Sequence, residues 1–148
     1  MYKRQTKDGY ALDTFLIADE HFAGSYRDII NLIEHELCEV LVRQEPLSPP
    51  LRGRLSRMSL TFPITPTVDL RPDERGQFWL LSIAANDRNG LLYAIASVLA
   101  RYRINLHTAK IMTLGERVED VFLIGGPALN NQRVQVQLET ELFEALKI

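Results

Sequence analysis

Residues Ala84–Tyr102 read AANDRNGLLYAIASVLARY. An apolar run stops at Asp87, the chain turns through Asn89-Gly90, and a helical period begins at once. In such a strand-to-helix corner the first helical N–H groups have no partner inside the helix. The positive end of the helix dipole stands behind them, which makes a seat for a carboxylate or a phosphate. Gly90 lets a ligand approach the backbone because no Cβ intervenes. Asp87 can accept hydrogen bonds from an ammonium group. Donors and a carboxylate at one corner complement both ends of a free α-amino acid. The same residues also suit a local role, with Asn89 capping the helix, Gly90 easing the turn and Asp87 accepting nearby N–H groups.

Working outward, Gln77–Ala85 has the composition of a strand, and Gly90–Arg103 is helical with Leu92, Ile95, Ala96, Leu99 and Tyr102 on one face. Asn105–Thr113 and Arg117–Ile124 are two further strands about a turn at Gly115-Glu116. A last helix follows Asn131, with Val134, Leu138, Leu142 and Ala145 inward. The order β-α-β-β-α predicts an α+β, ferredoxin-like βαββαβ unit that lacks only its closing strand. Its sheet is antiparallel and its helices lie on one face.

Upstream, Tyr2–Lys7 and Tyr10–Ala18 read as a hairpin about Asp8-Gly9. A helix follows from an N-cap at Ser25, with Tyr26, Ile29, Ile30, Ile33, Leu37, Val40 and Leu41 on one side, and Pro46 stops it. Pro46–Met58 reads as a linker rich in Pro, Ser and Arg, and Arg71–Gly76 is a second break. Between them, Pro63 and Pro66 confine an otherwise strand-like stretch to a sheet edge.

Sliding the chain by 107 positions lays Thr6, Asp13, Phe15, Leu16 and Ile17 over Thr113, Asp120, Phe122, Leu123 and Ile124. LDTFLI thus falls on EDVFLI, each after a turn and before an amphipathic helix. The repeat divides the chain into residues 1–45, the back half of one unit; 46–76, a linker and extended edge segment; and 77–148, a second unit. Leu60–Leu70 is expected to supply the fourth strand of the first unit.

With 148 residues, 46% of them hydrophobic, the chain can bury one core or two small ones. A net charge of −2 gives no footprint for nucleic acid or an anionic membrane. The single cysteine, Cys38, excludes an intrachain disulfide and a cysteine-based zinc cluster. No apolar run has the length of a membrane span and no signal peptide is read, so a cytoplasmic location is expected.

The stretch NDRNGLLYAIASVLARYRINLHTAKIMTLGERVEDVFLI closely resembles the last ACT domain of the bacterial bifunctional PII uridylyltransferase/uridylyl-removing enzymes. TKDGYALDTFLIAD resembles the back half of their penultimate ACT domain, and FPITPTVDLRPDE their inter-domain segment. The resemblance implies a regulatory region that senses glutamine and controls uridylylation and deuridylylation of the PII nitrogen-signalling protein. The partners it implies are glutamine, the parent's catalytic domains, PII through the parent, and a second copy through ACT sheet pairing. It also implies a ligand corner at Asp87, Arg88, Asn89, Gly90 and Leu91, with His107, Thr108, Ala109 and Lys110 on the facing strand. Asn89 departs from the proline usual in ACT domains, so the corner is less rigid and offers a side-chain amide.

Catalytic motifs are not read in this stretch. Nucleotidyl transfer needs paired aspartates holding Mg²⁺ after a Gly-Ser corner, and Gly24-Ser25 is followed by no Asp-x-Asp, so Ser25 reads as a helix cap. Mg²⁺ is expected only in the parent's catalytic domains, with no cofactor on this stretch. His21, His35 and His107 stand apart from one another and beside no aspartate, and His107 suits a structural hydrogen bond as well as a ligand contact. Trp79 and Phe78 read as core or interface. The rival to a sensor is an ACT module that pairs sheets and carries no ligand.

Overall fold

The computed structural model describes residues 4–5, 11–12, 24–43, 48–50 and 64–147. They fall into two compact units, one of Met1–Phe15 with Pro50–Ile148 and the other of Leu16–Pro49.

In the larger unit, β1 (Arg4–Gln5) and β2 (Ala11–Leu12) pair antiparallel, as a hairpin about Asp8-Gly9 requires. The remainder of the two expected upstream strands lies outside the described residues. The main sheet is built from β3 (Thr67–Pro72), β4 (Trp79–Asn86), β5 (Asn105–Lys110), β6 (Thr113–Leu114) and β7 (Arg117–Gly125). Its order is β3-β4-β7-β5, antiparallel throughout, with the short β6 on β7. Two helices complete the layer, α2 (Leu91–Arg101) after β4 and α3 (Gln132–Leu146) after β7. The architecture is α+β and compatible with a ferredoxin-like ACT unit.

The segment Leu60–Leu70, expected in the first unit, departs from that expectation over its described part: Thr67–Pro72 pairs with Trp79–Asn86, from Thr67 opposite Ala84 to Pro72 opposite Trp79. The place beside β4 that a closing strand would take is filled from the N-terminal side. The sheet therefore begins inside the stretch read as linker. Prolines at 66 and 72 fit this position, because among the described residues β3 is an edge strand with β4 as its one strand neighbour.

Alternation along β4 and β7 turns Leu81, Ile83 and Ala85 towards the helices, together with Val118, Phe122 and Ile124. Against them pack Ile95, Val98 and Leu99 of α2, and Leu138, Leu142 and Leu146 of α3. Leu138 and Leu142 are fully buried, each contributing roughly 1.5–3 kcal/mol of transfer free energy. The face of α2 is rotated from the sequence expectation. Leu91 and Val98 are buried, whereas Leu92 and Ala96 are exposed.

Helix α3 follows Asn131 as expected, and Asn131 caps it, its Oδ1 accepting from Arg133 N at 2.9 Å. Helix α2 closes differently from a simple stop at Arg103. Ile104 N donates to Leu99 O at 3.0 Å and Arg103 N to Ala100 O at 2.9 Å, with Arg103 at φ 53°. This Schellman closure places an arginine where glycine is favoured. Tyr102 Oη donates to Glu141 Oε1 at 2.6 Å and ties the end of α2 to α3.

In the smaller unit, α1 (Tyr26–Arg43) starts where expected, with Arg27 N donating to Ser25 Oγ at 3.3 Å. It buries none of its residues, and Tyr26, Ile30, Ile33, Leu37 and Leu41 are all exposed.

Candidate functional site

The corner between β4 and α2 is anchored at its first residue, since Asp87 N donates to Glu116 O at 2.8 Å in the β6–β7 turn. Gly90 then takes the left-handed conformation, φ 80° and ψ 8°, which glycine adopts without a Cβ penalty. No side chain caps the start of α2. The local role for Asn89 as an N-cap is thus not the one the structure gives it, and Asn89 is exposed. Part of the expected amide row is already used, because Leu91 N donates to Arg88 O at 3.2 Å. The Leu91 side chain is buried in the core and faces no ligand.

Arg88 turns away from the corner. Its Nη2 donates to Ala145 O at 2.6 Å, in the last turn of α3, where a cation also complements the helix dipole. Pro50 lies over the corner, and a Cβ placed on Gly90 would stand 2.6 Å from Pro50 Cγ.

On β7, opposite Ile83 and near enough to Asp87 to feel its charge, lies a residue that the sequence did not single out as a site. Asp120 is 1% exposed on the helix side of β7. Its Oδ1 accepts from Met112 N at 3.1 Å, and its Oδ2 has no partner among the described residues. Burial pushes its pKa up; the Met112 hydrogen bond opposes this, and the negative charge of Asp87 adds to it. The signal was present in Val118, Asp120, Phe122 and Ile124, an alternating inward row interrupted by one acid.

The facing-strand residues do not meet the corner within one chain. His107 sits at a bulge in β5 between Leu106 and Thr108, opposite Leu123 and Ile124. Those two pair with Leu80 and Trp79, so about 25 Å of strand separates His107 from Asp87. The His107 ring lies 4.3 Å from that of Phe78, centroid to centroid, and beside Gly125. Ala109 is in the core, Thr108 is half-buried and Lys110 is exposed. An open groove between β3 and α3 is lined by Pro66, Thr67, Val68, Glu139, Thr140 and Phe143, none of them among the expected ligand residues. Among the described residues no group of three or more His, Cys, Asp or Glu could hold a metal ion. Nor is any helix among them long and apolar enough to cross a membrane.

The bifunctional uridylyltransferase/uridylyl-removing enzyme of Cupriavidus metallidurans is 62% identical over 144 residues, which is 97% of this chain and 17% of that protein. The chain matches one region of the bifunctional uridylyltransferase/uridylyl-removing enzymes. The enzyme of that name from Ralstonia nicotianae is 61% identical over 148 residues, and that from Burkholderia lata 57% over 143. Each match covers 97% of this chain and 17% of the curated uridylyltransferase/uridylyl-removing enzyme, so the chain corresponds to a small piece of these relatives. No family model matches. Among solved structures, an unknown protein from Galdieria sulphuraria aligns with TM-score 0.40 and 24% identity, over 45% of this chain and 39% of that one.

Proposed function

We propose that this region is the regulatory, glutamine-sensing part of a cytoplasmic PII uridylyltransferase/uridylyl-removing enzyme. The observation that carries the reading is the corner. A helix start without a side-chain cap stands at a left-handed glycine, with the Asp87 carboxylate beside it and, nearby, one oxygen of the buried Asp120 carboxyl without a partner among the described residues. The helix end suits the ligand's carboxylate, and the acids suit its ammonium group. In this account the region performs no chemistry. Ligand occupancy shifts the populations of arrangements to which the parent's transferase and uridylyl-removing domains respond, and uridylylation of PII follows. A second copy, paired through its sheet, would supply His107 and Thr108 to a corner that they do not reach within their own chain.

The test is calorimetric titration of the chain with L-glutamine and with L-glutamate. Saturable binding that prefers glutamine supports the reading. A folded chain that binds neither contradicts it.

The exposed apolar stripe of α1, Tyr26, Ile30, Ile33, Leu37 and Leu41, favours a second reading in which the region is an interaction module. Replacing Gly90 by valine separates the two. A sensor loses its ligand response, whereas a scaffold keeps its self-association.

A further inference from the structure

Pro50 belongs to the sheet-bearing unit, and its ring lies against Gly90. A Cβ on Gly90 would meet Pro50 Cγ at 2.6 Å, Cβ at 3.6 Å and Cδ at 3.8 Å. Only a glycine tolerates this approach. Further along the same connection, Ile64 N donates to Asn86 Oδ1 at 3.3 Å. Asn86 is 4% exposed, and it is the last residue of β4 before the corner. Pro50 and Ile64 thus meet the two sides of Asp87–Asn89, one at the helix start and one at the strand end.

A proline ring suits such a cover. It has almost no side-chain freedom to lose on docking, and it offers no N–H that would need a partner. The contact rests on a few carbon atoms in an exposed position, so it is weak and displaceable.

The geometry points to a strap, in which Pro50 occupies the Gly90 corner and a small amino acid seated at the start of α2 must displace it. This rests on the corner being the ligand site and adds how that site is regulated. Apparent affinity is the intrinsic affinity reduced by the fraction of chains whose corner is open.

The experiment compares the chain with its Pro50→Gly variant, both checked for folding by circular dichroism. Each is titrated with L-glutamine, and hydrogen exchange is followed at the Asn89–Leu92 amides. The strap predicts tighter glutamine binding by the variant, about tenfold if the corner is covered nine-tenths of the time, and faster exchange at those amides. Equal, measurable affinity in both proteins overturns the strap and leaves the glutamine reading intact. Binding by neither overturns the glutamine reading and, with it, the competition. Unchanged exchange at the corner overturns the covering contact itself, whatever the ligand does.

Discussion

Arg88 leaves the β4–α2 corner and donates from Nη2 to the carbonyl oxygen of Ala145 at 2.6 Å, joining the candidate ligand loop to the last turn of α3. The sequence placed Arg88 among the ligand residues, and the structure makes it a tie between two elements. Hydrogen bonds from a charged donor are worth roughly 1.5–3 kcal/mol when half-buried and well aligned. Arg88→Met is expected to lower stability by about 1–2 kcal/mol, read as a drop in urea midpoint with unchanged slope. An unchanged midpoint would show that the tie contributes nothing.

Arg103 sits at φ 53° in the closing turn of α2, where a side chain is strained. Arg103→Gly removes that strain and keeps the Ile104 N to Leu99 O hydrogen bond. Thermal unfolding of the variant should show a gain of up to about 1 kcal/mol, the usual size for relieving a left-handed residue at a helix end.

Gly90 is the opposite case, with φ 80° and Pro50 seated over it. Gly90→Ala should cost about 1–2 kcal/mol, combining backbone strain with displacement of the proline ring. Pairing it with Pro50→Gly isolates the second contribution. The alanine should cost less in the Pro50→Gly background, and an unchanged cost would place all of the effect in the backbone.

Asp120 has a pKa raised above 3.8 by burial and by Asp87. A carboxyl whose folded pKa is raised binds its proton more tightly in the folded chain. Its contribution to stability is therefore greatest at low pH, and it declines as pH climbs from the unfolded value through the folded one. Asp120→Asn keeps an acceptor for Met112 N and abolishes this titration. The stability difference between variant and parent should grow in the variant's favour across that window, measured by denaturant titration at a series of pH values. A difference independent of pH would show that Asp120 does not titrate with folding.

Much of this architecture was legible locally. Strand-forming composition marked β4, the turn at Gly115-Glu116 marked the start of β7, Asn131 announced α3, and Asn89-Gly90 marked the corner. What escaped was non-local. Pro63 and Pro66 say that a strand must lie at an edge, but not whose edge, so β3 was given to the wrong unit. Leu91 and Leu92 are adjacent, and a helical period accommodates either one inward. His107 looked close to the corner because a motif has no register. A bulge and the strand pairing set its place at the far end of the sheet. Pro50 gave no sequence signal, since its contact with Gly90 spans a connection whose path the residues do not encode by period.

The most direct test follows the backbone amides of Asp87–Leu91 by nitrogen-15 NMR while L-glutamine is added. Seating of glutamine at the corner gives saturable shifts centred on Gly90 and Asp87, smaller shifts with L-glutamate, and none at His107 unless two copies associate. A folded spectrum in which those five amides stay still at saturating glutamine would contradict it.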